Sequence, residues 1–151
     1  MNTLQYLVFL ILLLPRPSTA QGIVIVVNKE NPISHLSKQD LRRIYLGEYT
    51  TWNNGSSVRI VDWKTDTDIR DRFYSTVMKT SPAIVKRKWL EKVIIGSIQP
   101  PELIFGESEL MEYVAAHKDA IGYIGADKVN SSVKVILIDS TSVMSTDSVR
   151  K

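Results

Sequence analysis

The chain has no cysteine. That removes disulfide bonds, thiolate nucleophiles and thiolate metal sites together. Histidine is nearly absent too: His35 and His117 stand alone in sequence, and neither forms half of a metal-ligand pair. There is no Gly-x-Ser-x-Gly elbow and no phosphate-binding P-loop. No cofactor motif is present, and no nucleophile-base set is visible, so an enzyme is the least favoured class. Excess charge is also missing. Lys and Arg total 19 against 16 Asp and Glu, a formal +3. The basic residues are scattered rather than clustered, which argues against nucleic acid as a partner. There are no internal repeats and no heptad run.

Only one long apolar run exists, Tyr6 to Leu14. It is much shorter than the ~20 residues that span a bilayer, and Pro15 and Pro17 end it. Ser18-Thr19-Ala20 then places small residues where a signal peptidase reads. Residues 1–20 are therefore expected to be a secretory signal peptide, although Met1 to Gln5 lack the usual Lys or Arg. Cleavage after Ala20 leaves a chain long enough for one domain, burying roughly two thirds of its unfolded surface. An exported, cysteine-free chain suits the bacterial periplasm. From Ser140 onward the sequence is polar and Ser/Thr-rich, so residues 140–151 are expected to be a disordered tail, leaving 21–139 as the domain.

Within that domain, Gly22 to Asn28 is a continuous β-branched run, expected to be a strand buried on both faces of a parallel or mixed sheet. Ser37 is placed to cap a helix from Lys38, with Asp40 favouring its positive end. Leu41, Ile44 and Tyr45 share one face of that helix, and Gly47 is a stop signal. Trp52 to Ser56 reads as a turn and Val58 to Asp62 as a strand. The polar cluster Thr65-Asp66-Thr67-Asp68 precedes a helix over about 69–79. Ser81-Pro82 opens another helix running to about Val93, and residues 96–101 form a loop. Ser108 is expected to cap a helix reaching His117. Ala120 to Ile124 and Val133 to Ile138 read as the last strands. Such alternation predicts a three-layer α/β domain, a mixed sheet flanked by helices.

Three blocks, taken in order, resemble the phosphate-type solute-binding proteins of ABC transporters. The first is Val26-Val27-Asn28 followed by Leu36-Ser37 and the stretch from Asp40 through Ile44-Tyr45-Leu46-Gly47 to Trp52. The second is Val58 to Asp62, the polar cluster, and Arg70 to Tyr74. The third is Ala120 to Ile124 with Val133 to Ile136. Full-length members of that family are about twice this size and close two lobes around an anion; this chain is similar to one lobe of such a type 2 periplasmic-binding fold, and to short stand-alone relatives. The resemblance implies non-catalytic binding of phosphate or a similar small anion, linked to transport. It implies an ABC-transporter permease or another inner-membrane protein as partner, and a homodimer could supply the second lobe.

The family's Gly-Ser-Gly-Thr-like anion loop aligns with Thr65-Asp66-Thr67-Asp68. The helix start and two hydroxyls are kept, both glycines are replaced, and carboxylates are added. An arginine common at the family's strand end aligns near Asp62. At a helix N-terminus, free N–H groups and hydroxyls can hold an anion. The same residues can equally serve as helix caps and nothing more. Lys64 and Arg70 flank the cluster and either neutralise an anion or form ordinary surface. Asn28, at a strand end, is a further ligand candidate or a turn former. Asp66 and Asp68 sit at alternate positions suited to Ca²⁺, but the loop lacks the length and distal Glu of such a site, and no metal is assigned. Trp52, Trp63 and Tyr123 divide between cleft and core roles. Lys86-Arg87-Lys88 is either a solvated face or a docking surface for an acidic membrane partner. Loss of the loop glycines also motivates a second reading, a ligand-free interaction or sensor module.

Overall fold

The computed structural model describes residues 22–96 and 98–139; the expected signal peptide and tail lie outside them. The strands are β1 (Ile23–Val27), β2 (His35–Ser37), β3 (Arg59–Trp63), β4 (Glu102–Ile104), β5 (Ala120–Gly125) and β6 (Lys134–Asp139). The helices are α1 (Lys38–Tyr45), α2 (Asp68–Arg72), α3 (Pro82–Ile94) and α4 (Glu107–Ala116). α2 runs directly into a π-helical segment, Phe73–Met78, and a short 3₁₀ turn spans Ala126–Lys128.

The six strands form one sheet in the order β2-β6-β1-β5-β3-β4. β1 is antiparallel to both its neighbours, and every other pairing is parallel. β1 alone therefore runs against the rest, and the sheet is mixed. The C-terminal ends of β3, β4 and β5 meet at one end, the usual place for ligands in α/β sheets.

Helices cover both faces, giving the expected three layers. Successive residues of β5 point to opposite sides. On one side a Cβ added at Gly122 would lie 3.4 Å from Leu110 of α4, so that helix packs directly on the strand. On the other side Tyr123 stacks on Phe73 at 3.7 Å, and Tyr45 of α1 meets both rings edge-on. This second layer holds the largest buried side chains of the core.

α1 forms as its sequence suggests. Ser37 Oγ accepts from the Asp40 N–H at 2.9 Å and donates to Asp40 Oδ2 at 2.7 Å. Leu41, Ile44 and Tyr45 are buried. Gly47 follows with φ +64°, a conformation that disfavours side chains. A side chain there would also meet Ile98 Cδ1 at 2.7 Å. α3 seals this helix end: the Trp89 indole donates to the Tyr45 carbonyl at 2.8 Å, and Lys92 Nζ to the carbonyls of Leu46 and Gly47 at 2.9 and 2.7 Å. A cation on the last carbonyls suits the negative end of the helix dipole. The Ile44 to Gly47 stretch is thus accounted for by packing and capping.

Two short edge strands, β2 and β4, and one helix start depart from the sequence reading. Each edge strand has three residues and carries no alternation to detect. α4 begins at Glu107 with Gly106 as its N-cap, two residues before the expected Ser108 cap. Glu109 reaches back to accept from the Phe105 N–H at 2.8 Å, doing the work expected of the serine.

Candidate functional site

β3 ends in Asp62 and Trp63, both buried. An acid inside needs donors on every side. Asp62 Oδ1 accepts from the Tyr123 hydroxyl at 2.6 Å and the Trp63 N–H at 2.9 Å. Asp62 Oδ2 accepts from the Tyr74 hydroxyl at 2.8 Å and lies 3.5 Å from an Arg70 nitrogen. Burial, then the Asp62 charge, pushes both tyrosines far above their ordinary pKa, so both phenols keep their protons and donate.

The π-helical turn makes this knot possible. Ser75 and Thr76 turn their hydroxyls back onto the Arg72 carbonyl, which loosens the helix there. Phe73 and Tyr74, adjacent in sequence, are then both buried: one stacks on Tyr123, the other reaches Asp62. Widened turns of this type often mark functional regions.

Arg70 forms the next layer. Its guanidinium binds Asp66 Oδ1 at 2.8 Å besides Asp62, and lies 5.4 Å over the Tyr74 ring. Its side chain is only 14 % exposed. Burial alone would lower its pKa; Asp62, with Tyr74 and Tyr123, outweighs that and raises it.

Arg70 and Asp62 line a cleft of about 600 Å³ between α3, β4 and the end of β3. Lys64 and Lys86 add cations to its lining, and Trp89, Leu90, Val93 and Leu103 give it apolar walls. Lys64 Nζ rests 4.6 Å over the Phe105 ring. A second cavity of about 610 Å³ includes Arg59 and Asp119, which pair with each other at 3.2 Å.

Lys64 and Arg70 are therefore brought together at one cleft. Thr65, Thr67 and Asp68 lie in the adjoining loop and helix start, but they do not line it. Thr67 Oγ1 caps α2 by accepting from the Arg70 N–H at 3.4 Å. Asp68 is exposed and pairs with Arg72 at 3.2 Å. Asn28 is not brought to this place. It follows β1, the reversed strand, and so sits at the opposite end of the sheet. Its amide donates to the carbonyls of Val114 and Ala115 at 3.0 and 2.7 Å, closing the end of α4, and its Oδ1 accepts from the Glu30 N–H. Trp52 lies at that end too, buried, with its indole on the Asp119 carbonyl at 2.9 Å. Trp63 is also buried and donates to the Tyr123 carbonyl.

Asp62, Tyr74 and Trp89 were not among the candidates from sequence, and Lys86 was singled out only within the basic run Lys86-Arg87-Lys88. Asp62 carried a usable signal: an acid within the apolar run Ile60-Val61-Asp62-Trp63 must be either exposed or heavily partnered. Among the described residues, no group of three or more His, Cys, Asp or Glu is arranged to hold a metal ion.

Residues 13–149 match the PBP superfamily domain, and the chain belongs to that family. Its fold is shared with larger solved structures. An ABC-type phosphate transport receptor from Vibrio cholerae aligns with TM-score 0.64 and 23% identity over 81% of this chain and 48% of its own. A putative phosphate ABC transporter substrate-binding protein with bound phosphate, from Clostridium perfringens, aligns at 0.65 and 21% over 81% and 46%. PstS from Borrelia burgdorferi aligns at 0.62 and 12% over 82% and 49%. The chain thus spans about half the length of these proteins, as one lobe would. No curated protein matches the sequence at a significant level.

Proposed function

We propose that this chain is a non-catalytic, solute-binding lobe serving ABC-type transport in the bacterial periplasm, and that it takes a small anion at the cleft beside Arg70. Phosphate is the anion that the family resemblance implies. The observation that carries the reading is the convergence of Lys64, Arg70 and Lys86 on one cleft at the C-terminal end of β3. Thr65, Thr67 and Asp68 lie in the adjoining loop and helix start, outside the lining, and belong to the ligand set that the family resemblance implies. Isothermal titration and thermal shift with phosphate, sulfate and small organic anions test this. Binding heat with a matching rise in melting temperature supports it; neither signal at millimolar ligand would sink it.

A second reading has its own observation. Arg70 is already neutralised by Asp62 and Asp66. That favours an interaction module docking an inner-membrane partner, such as a permease, without solute. A pull-down from membrane extract that recovers no partner, beside clear solute binding, would count against it. Light scattering with and without anion shows whether a second copy supplies the missing lobe.

A further inference from the structure

We infer that the cleft beside Arg70 selects an organic monoanion, an apolar body carrying a single carboxylate, in preference to inorganic phosphate. This rests on the reading of the cleft as a solute site and narrows its ligand.

Charge sets the first constraint. The lining carries three cations, Lys64, Arg70 and Lys86, against two anions, Asp62 and Asp66. The balance is one positive charge, which a monoanion neutralises and a dianion overshoots. The donors set the second. The two terminal nitrogens of Arg70 face Asp66 and Asp62, and its Nε is sealed from solvent without a partner. The tyrosine hydroxyls next to it are held by Asp62. An incoming anion therefore meets Lys64 and Lys86 at the rim, too few fixed donors to saturate a tetrahedral oxyanion.

Shape sets the third. A cleft of about 600 Å³ falls in the range of drug-sized ligands, and inorganic phosphate would fill only a small part of it. The remaining wall is Trp89, Leu90, Val93 and Leu103, and three of these, Leu90, Val93 and Leu103, are exposed. Covering them with hydrocarbon is favourable, whereas a phosphate with its hydration shell leaves them wet.

The test is titration calorimetry of the purified chain with octanoate, phenylacetate, phosphate and uncharged octanol, repeated on Leu90→Asp and Lys86→Ala. Both positions are on the cleft lining, and Leu90 is exposed, so the fold is expected to survive; circular dichroism checks it. Octanoate or phenylacetate is expected to bind at least about tenfold more tightly than phosphate or octanol. Leu90→Asp should weaken octanoate by about tenfold or more, and Lys86→Ala should narrow the gap between octanoate and octanol. Phosphate binding as tightly as octanoate, or octanoate indifferent to Leu90→Asp, overturns the inference while leaving a solute site standing. Silence from every anion overturns both it and the solute-site reading.

Discussion

Asp40 and Asp62 are both buried acids, 0% and 4% exposed, yet their neighbourhoods differ in kind. Asp40 works locally. Its carboxylate closes a reciprocal pair with Ser37, three residues away, and approaches Arg43 at 3.5 Å. Asp62 works at long range. Its donors come from Tyr74 and Tyr123, 12 and 61 residues away, and from Arg70 on the wall of the cleft. The first acid starts a helix, and the second holds two layers together beside a cavity. Burial of a charge therefore does not mark a site; what matters is whether its partners lead outward to an accessible surface.

Replacing each acid separates the two roles most clearly. Asp62→Ala leaves two phenols without their acceptor and Arg70 with Asp66 alone, and is expected to cost about 3–5 kcal/mol. Asp40→Ala removes the carboxylate's contacts with Ser37 and Arg43 and is expected to cost about 1–2 kcal/mol. Urea denaturation measures both, and equal losses would erase the distinction.

The Asp40 block ends at Gly47, where backbone and packing both exclude a side chain. Gly47→Ala is expected to cost about 2 kcal/mol. Gly55 also has positive φ, at 86°, but nothing lies within 4 Å of an added Cβ. Gly55→Ala should therefore cost only about 1 kcal/mol, and the difference isolates the contact with Ile98 and Trp89.

The third test uses alkali. Tyr74 and Tyr123 have raised pKa values in the folded chain, from burial and from Asp62. Above about pH 10 the unfolded chain gives up phenol protons that the folded chain retains. The unfolded state then binds fewer protons, so stability present below that pH is lost as pH rises, by about 1.4 kcal/mol per pH unit for each such tyrosine. Melts between pH 9 and 11 should show this decline. Tyr74→Phe should make the slope shallower, whereas Ser37→Ala, in the Asp40 block, should lower stability without changing it.

Much of this molecule was legible in its residues because local rules govern it. The Ser37 cap, the α1 face of Leu41, Ile44 and Tyr45, the Gly47 stop, the Ser81-Pro82 start and the β1 run each depend on neighbours within a turn or on a simple period. The family blocks extended that reading to the mixed sheet. Lys64 and Arg70 line one cleft because they flank a recognisable strand-loop-helix junction. Asn28 lies at the other end of the sheet, because the direction of β1 follows from its pairing with β5 and β6 and from nothing in the strand itself.

By itself, then, the sequence determined the α/β class, most helix boundaries and the absence of thiol chemistry. Only the tertiary structure decided that β1 runs backward, that a π turn buries Phe73 and Tyr74 side by side, and that Asp62 and Asp66 hold Arg70 between them. Helix caps and periods are set by residues a few positions apart. The cleft is set by Arg70, Lys86 and Leu103, which distant segments bring together only after the sheet has paired.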